Sequence, residues 1–233
     1  MENNYSYIDE NLKEINYRIG EAAAKYRKPD DVIRLMGVTK TVLPEAVNYA
    51  VSKGIKLLGE NRVQEYQSKK ELYDKSAEVH FIGHLQSNKV KYIIDSVTLI
   101  QSVDSLRLAC EIDKLAENKG KIMNILCEVN IGGEQSKSGV MPDKLEELLY
   151  AVSELKHVRV NGLMTIPPPS DNEKFLSEMQ QLYIDISNKK IHNINMNVLS
   201  MGMTGDYASA VKYGSTLVRI GTGLFGARNY PKK

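Results

Sequence analysis

The chain has 233 residues, 42% hydrophobic and 26% charged, the proportions of an ordinary globular protein. Thirty-one Lys and Arg against 29 Asp and Glu give a net charge of +2, which offers no electrostatic case for nucleic acid or an anionic membrane surface. No apolar run approaches the ~20 residues needed to span a bilayer, and the start, MENNYSYIDE, lacks the basic and apolar segments of a secretory signal. Cys110 and Cys127 form no CxxC, and both sit in apolar periodic stretches, so buried free thiols in a reducing, cytoplasmic setting are expected.

Tyr5, Ile8, Leu12, Ile15, Ile19, Ala22 and Tyr26 recur at steps of three or four, which predicts an amphipathic first helix with that face buried, stopped by Pro29 and Asp30. Short apolar runs then alternate with helical stretches. Strands are predicted at 33–38, 56–58, 79–82, 98–101, 122–129, 158–163, 196–199 and 216–219. Helix ends are readable between them. Pro44 takes a first-turn position with Gly54 past the last turn, Ser170 and Glu173 have capping-box spacing ahead of Phe175, and Gly214 follows Tyr213 as a helix-ending glycine.

Eight strands alternating with helices predict parallel strands joined by helical crossovers. A doubly wound open sheet is the rival. Eight units, in a chain near the ~250 residues of a typical barrel, favour a single (β/α)8 barrel of the TIM type with an extra N-terminal helix. No linker, low-complexity tract or repeat divides residues 1–233, so one domain is expected.

Such barrels build their sites at the C-terminal ends of the strands. The residues there are Thr39-Lys40-Thr41, Gly59-Glu60-Asn61, Gly83-His84, Asn130, Met164-Thr165, the run from Ser200 to Thr204, and the run from Arg219 to Gly223. The last two runs put glycines and hydroxyls between a strand and the next turn. Backbone N–H groups so placed can hold a phosphate, although plain tight turns have the same composition. Lys40 follows the apolar run Ile33–Val38 and would enter the barrel mouth. A lysine amine titrates near ~10.4 and becomes a nucleophile at neutral pH only through desolvation or a neighbouring cation. Arg219, closing the barrel beside the first strand, is a candidate for that cation. A surface lysine or an ion-pair partner is the alternative.

Other patterns carry less. His80 and His84 straddle a strand end and lack the glutamate of a zinc helix, while His157 and His192 are remote, so no metal site is read. Lys137, in EQSKSG after the fifth strand, is a second mouth lysine in the setting of a mobile loop. GxSxG and Walker A motifs do not occur.

One combination of segments is specific. GVTKT at 37–41, LGENRVQE at 58–65, HFIGHLQSNK at 80–89, QSVDS at 101–105, VNIGGEQSKSG at 129–139, GLMTIPPP at 162–169, LSMGMTGDY at 199–207 and VRIGTGLFGAR at 218–228 run almost from end to end. In that order they resemble the pyridoxal phosphate homeostasis family, which shares the barrel of alanine racemase. The resemblance implies pyridoxal 5′-phosphate (PLP) as cofactor, held as a Schiff base on Lys40. It implies that Ser200, with the backbone of the SMGM turn, and Gly221 with Thr222 hold the phosphate. It implies Asn61, Met164 and Met201 as pocket lining, and Arg219 facing the pyridine nitrogen.

An arginine stays protonated and leaves that nitrogen unprotonated, so the ring is a poorer electron sink than one paired with a carboxylate. Alanine racemases add a β-domain whose tyrosine is a second catalytic base; here FGARNYPKK follows the last strand directly, and no such domain is expected. Two-base racemisation needs a proton donor on each face of the substrate, and only Lys40 is nominated. The expectation is therefore a PLP carrier that takes part in intracellular PLP homeostasis and delivery to PLP-dependent apoenzymes, as a monomer or weak homodimer. A racemase-like PLP enzyme, with Lys40 catalytic, and a barrel enzyme acting on a phosphorylated sugar are the alternatives.

Overall fold

The computed structural model describes residues 5–170 and 172–227. Arg228, the last residue of the VRIGTGLFGAR segment, lies outside the described residues. Helix α1 (Ser6–Tyr26) precedes eight parallel strands: β1 (Arg34–Val38), β2 (Leu57–Glu60), β3 (Glu78–Phe81), β4 (Leu99–Val103), β5 (Met123–Val129), β6 (Val158–Thr165), β7 (Ile194–Ser200) and β8 (Leu217–Ile220). The strands pair in sequence order and close into a barrel when β8 pairs with β1, placing Met36 opposite Arg219. The open-sheet rival is excluded by that closure. Each predicted strand falls within two residues of the observed one at either end.

The crossovers are α2 (Pro44–Ser52), α3 (Val63–Lys69), α4 (Leu106–Asn118), α5 (Pro142–Ser153), α6 (Asn172–Lys189) and α7 (Tyr207–Lys212), with α8 (Thr222–Phe225) after β8. Between β3 and β4 the chain makes a 3-10 segment, Ser87–Tyr92, in place of the expected helix. Val90 is buried within it, and Ile93 and Ile94 just after it. Pro44 opens α2, while Gly54 (φ +107°) and Gly214 (φ +91°) follow α2 and α7 in the left-handed conformation a helix-ending glycine adopts.

The main core lies between the sheet and the helical layer and includes Phe81, Ile100, Ile125, Leu163 and Val218. Inside the barrel, Met36, Leu57, Ile82 and Leu217 form one cluster and Leu99, Leu126 and Met164 another, with Val198 touching both. Helix α1 lies on α7 and α8, and Asn11 Nδ2 donates to the Leu224 carbonyl at 3.0 Å.

Two expectations are corrected. Tyr26 is exposed, because it ends α1 beyond the layer that covers Ile8, Leu12, Ile15 and Ala22. Cys127 is a buried free thiol on β5, but Cys110 is exposed. The inner stripe of α4 is Leu108, Ala109, Ile112 and Ala116, and residue 110 lies off that stripe. Among the described residues no helix is long and apolar enough to cross a membrane.

Candidate cofactor site

At the C-terminal rim a cavity of about 400 Å³ brings together Lys40, Asn61, Arg219, Gly221 and Thr222. Val38, Ile82 and Ile166 supply its apolar wall, and Met203, Thr204 and Gly205 bring in the loop after β7. Sequence separation of about 180 residues between Lys40 and Arg219 is cancelled by the β1–β8 pairing.

Lys40 is half-buried, and among the described residues its ammonium has no hydrogen bond or ion pair. It follows Thr39, which is fully buried and donates its hydroxyl to Glu60 Oε1 at 2.6 Å. Tyr73 Oη donates to the same oxygen at 2.5 Å, and Glu60 Oε2 is buried without a partner among the described residues. Burial raises the Glu60 pKa, against the pull of these two hydroxyls. A carboxyl group under the strand end thus ties the first strand to the second just before Lys40.

Arg219 is buried and fixed at both ends of its fork. Nη1 donates to Ser200 Oγ at 2.7 Å and Nη2 to the Thr165 carbonyl at 2.8 Å. Ser200 Oγ in turn donates to Gln101 Oε1 at 2.7 Å, and Gln101 Nε2 lies 2.9 Å from His80 Nδ1. Because an amide nitrogen only donates, His80 Nδ1 is the acceptor and its ring is neutral. Burial, reinforced by Arg34, holds the His80 pKa at about 3. Side chains of β8, β7, β4 and β3 are thereby joined in one relay through the barrel. Burial also lowers the Arg219 pKa to about 10, with Asp206 and Glu128 opposing, so the group remains a cation at neutral pH.

Three expected site residues lie elsewhere. Ser200 is fully buried beneath Arg219 with its hydroxyl committed in both directions, so it supports the cation and does not reach the cavity. Met164 packs inside the barrel with Leu99 and Leu126. Met201, one residue past Ser200 and on the opposite face, is in the core under the helices. From the run after β7, the hydroxyl at the cavity wall is that of Thr204, which the sequence placed at the mouth without singling it out. Its Oγ1 accepts the Gly223 N–H at 3.1 Å and lies 3.4 Å from Thr222 Oγ1, joining the loops after β7 and β8. Its signal in the sequence is slight, a hydroxyl beside a glycine in a loop. Asn61 is on the wall, and its Oδ1 is buried without a partner among the described residues.

A neighbouring hollow of about 300 Å³ shares Asn61, Ile82 and Ile166 and is otherwise lined by His84, Glu128, Asn130 and Lys137, among others. Lys137 is therefore beside the first cavity, with its ammonium 2.9 Å from Glu134. Burial, with Asp104 adding and Arg219 opposing, pushes Glu128 up to about 7.

Residues 11–229 match the family described as alanine racemase, N-terminal domain. The pyridoxal phosphate homeostasis protein of Aquifex aeolicus is 42% identical over 226 residues, 95% of this chain and 98% of that one. Its counterpart in Escherichia coli K12 is 36% identical over 231 residues, 97% of this chain and 99% of that one. The structure of PipY of Synechococcus elongatus, solved with PLP bound, superposes with a TM-score of 0.82 at 30% identity, covering 94% of this chain and all of that one. Alanine racemase of Clostridium difficile shares the fold, with a TM-score of 0.73 at 15% identity over 57% of its own length. End-to-end likeness at these identities settles the family: the chain belongs to the pyridoxal phosphate homeostasis proteins, built on the alanine racemase N-terminal barrel.

Proposed function

We propose that this chain binds PLP in the 400 Å³ cavity, holds it as a Schiff base on Lys40, and serves intracellular PLP homeostasis. The observation that carries the reading is the meeting, in that cavity, of an amine without an ion pair among the described residues and a buried arginine whose fork is fixed from below. The residues fit the cofactor. Thr204, Gly205, Gly221 and Thr222 form a polar cradle for its phosphate, and the apolar wall of Val38, Ile82 and Ile166 suits an aromatic ring. Asn61 Oδ1, buried and unpartnered among the described residues, fits a donor on that ring's edge. Bound there, PLP supplies an aldehyde that condenses with a neutral amine and expels water.

The chain's own residues then hold, orient and exclude water. Arg219 is held cationic at the cavity wall and would offer a donor to the ring nitrogen, which would keep that nitrogen unprotonated and restrain carbanion chemistry. Lys40 is the one group nominated as a base, so we read the function as reversible holding and delivery, with PLP-dependent apoenzymes as recipients. We read residues 1–233 as one domain, cytoplasmic, and monomeric or weakly dimeric.

The test is a visible-region spectrum of the purified chain with PLP, before and after Lys40→Ala. A band that needs Lys40 is expected; its absence overturns the reading. Exchange of the α-proton of a free amino acid into deuterated water would overturn the carrier role in favour of an enzyme.

A further inference from the structure

Lys40 stands on a strained turn. The Val42 N–H donates to the Thr39 carbonyl at 3.0 Å, so Lys40 and Thr41 are the central residues of a β-turn. Thr41 has φ +62°, the left-handed conformation that glycine or asparagine normally supplies at the second central position. A β-branched residue there is strained, and such strain persists only where the surroundings impose it.

Helix α3 imposes it. Glu65 Oε1 accepts the Thr41 N–H at 2.6 Å, and Lys69 Nζ donates to the Thr39 carbonyl at 3.4 Å. The two side chains are joined to each other, Lys69 Nζ to Glu65 Oε1 at 2.5 Å, one helical turn apart and mostly buried. One ion pair therefore grips the peptide group that enters Lys40 and the one that leaves it. The Glu65 carboxylate bears the cost of burial, which is outweighed by Lys69 and the Thr41 N–H, so its pKa is lowered and the pair is charged.

We infer that Glu65 and Lys69 are positioning residues that hold the Thr39–Thr41 turn so that the Lys40 amine points into the cofactor cavity. The inference rests on Lys40 being the tether. A side chain with four rotatable bonds reaches a reacting carbon only if its Cα is fixed, and a misplacement of about 1 Å can cost on the order of 100-fold in such a step. The clamp fixes the Cα without touching the cavity, where Glu65 and Lys69 are absent from the lining.

The test compares the unsubstituted chain with Glu65→Ala, Glu65→Gln and Lys69→Met. Three quantities are read: the rate of appearance of the Lys40-dependent band with PLP, the affinity for pyridoxine 5′-phosphate, which lacks the aldehyde, and hydrogen exchange at the Thr41 amide without cofactor. Glu65→Ala is expected to slow the band about tenfold or more and to speed Thr41 exchange similarly, with analogue affinity held within about twofold. Glu65→Gln, which keeps an acceptor for Thr41, is expected to restore most of both. Equal losses of band rate and analogue affinity would overturn the clamp, as would no change in either. Should Glu65→Ala not fold, Lys69→Met carries the same comparison. A missing band in the unsubstituted chain would instead remove the tether reading itself.

Discussion

The Arg219 guanidinium and the Ser200 hydroxyl share one hydrogen bond, Nη1 to Oγ at 2.7 Å, and the serine passes it on to Gln101. The cation beside the cavity thus depends on a residue of β4 that it does not touch. Removing the middle of such a chain leaves a donor and an acceptor buried without partners. Ser200→Ala is therefore expected to lower unfolding free energy by about 1–3 kcal/mol in urea denaturation. Paired with Gln101→Leu the losses should fall short of additive, with a coupling of about 0.5–3 kcal/mol. Strict additivity would show that the relay is not a unit.

Thr204 gives the opposite pattern. Its hydroxyl is on the cavity wall, so Thr204→Val should leave stability within about 0.5 kcal/mol, as for ordinary surface changes. PLP affinity should fall roughly tenfold, the scale of one lost hydrogen bond to a charged group. Equilibrium dialysis reads the affinity. Unchanged binding would return the phosphate to other donors.

Glu128 carries a pH signature. Its native pKa, about 7, lies above the ordinary 4.5, so between these values the native state holds a proton that the unfolded chain has released. Stability from this group accordingly falls as pH rises from about 4.5 to about 7, and levels off above. Glu128→Gln mimics the protonated form. It should match the parent near pH 4 and exceed it by on the order of 3 kcal/mol at pH 8. A pH-independent difference between the two chains would refute the assignment.

Gly83 meets the backbone of the site. A Cβ there would lie 2.1 Å from the Asn61 carbonyl oxygen, a contact that main chain cannot relieve by rotating a side chain. Gly83→Ala should cost about 1–3 kcal/mol, as overpacking does, and weaken PLP binding by displacing Asn61. A thermal melt and a PLP titration check both. Retention of full affinity would mean that Asn61 does not contribute.

The strands were legible because a buried parallel strand is a short apolar run between polar breaks, and all eight have that form. Lys40 and Arg219 were legible because strand ends in a closed barrel face one mouth. Ser200 and Thr204 were not separable in this way. A strand alternates faces and so distinguishes Ser200 from Met201, but whether an inward side chain reaches the cavity or stops below it depends on depth, which the pleat does not encode. Thr204 is in a loop, where no periodicity applies. Cys110 and Tyr26 were misplaced for a related reason, since a hydrophobic residue at the margin of a helical stripe is exposed or buried according to where the neighbouring layer ends. The Glu65–Lys69 pair has the spacing of any solvated i,i+4 ion pair, and only the path of the Lys40 turn gives it a different meaning.

The seam between β1 and β8 has a consequence for how the protein is made. Lys40 is among the first residues of the barrel to be synthesised and Arg219 among the last, so a nascent chain presents the amine long before it presents the arginine and the loops after β7 and β8. The cavity exists only with β8 docked on β1, because its lining comes from both sides of that seam. A ligand that binds only the closed ring stabilises it by mass action, with about 2.7 kcal/mol at a free concentration 100 times the dissociation constant. Cofactor supply would then govern the lifetime of the folded protein itself.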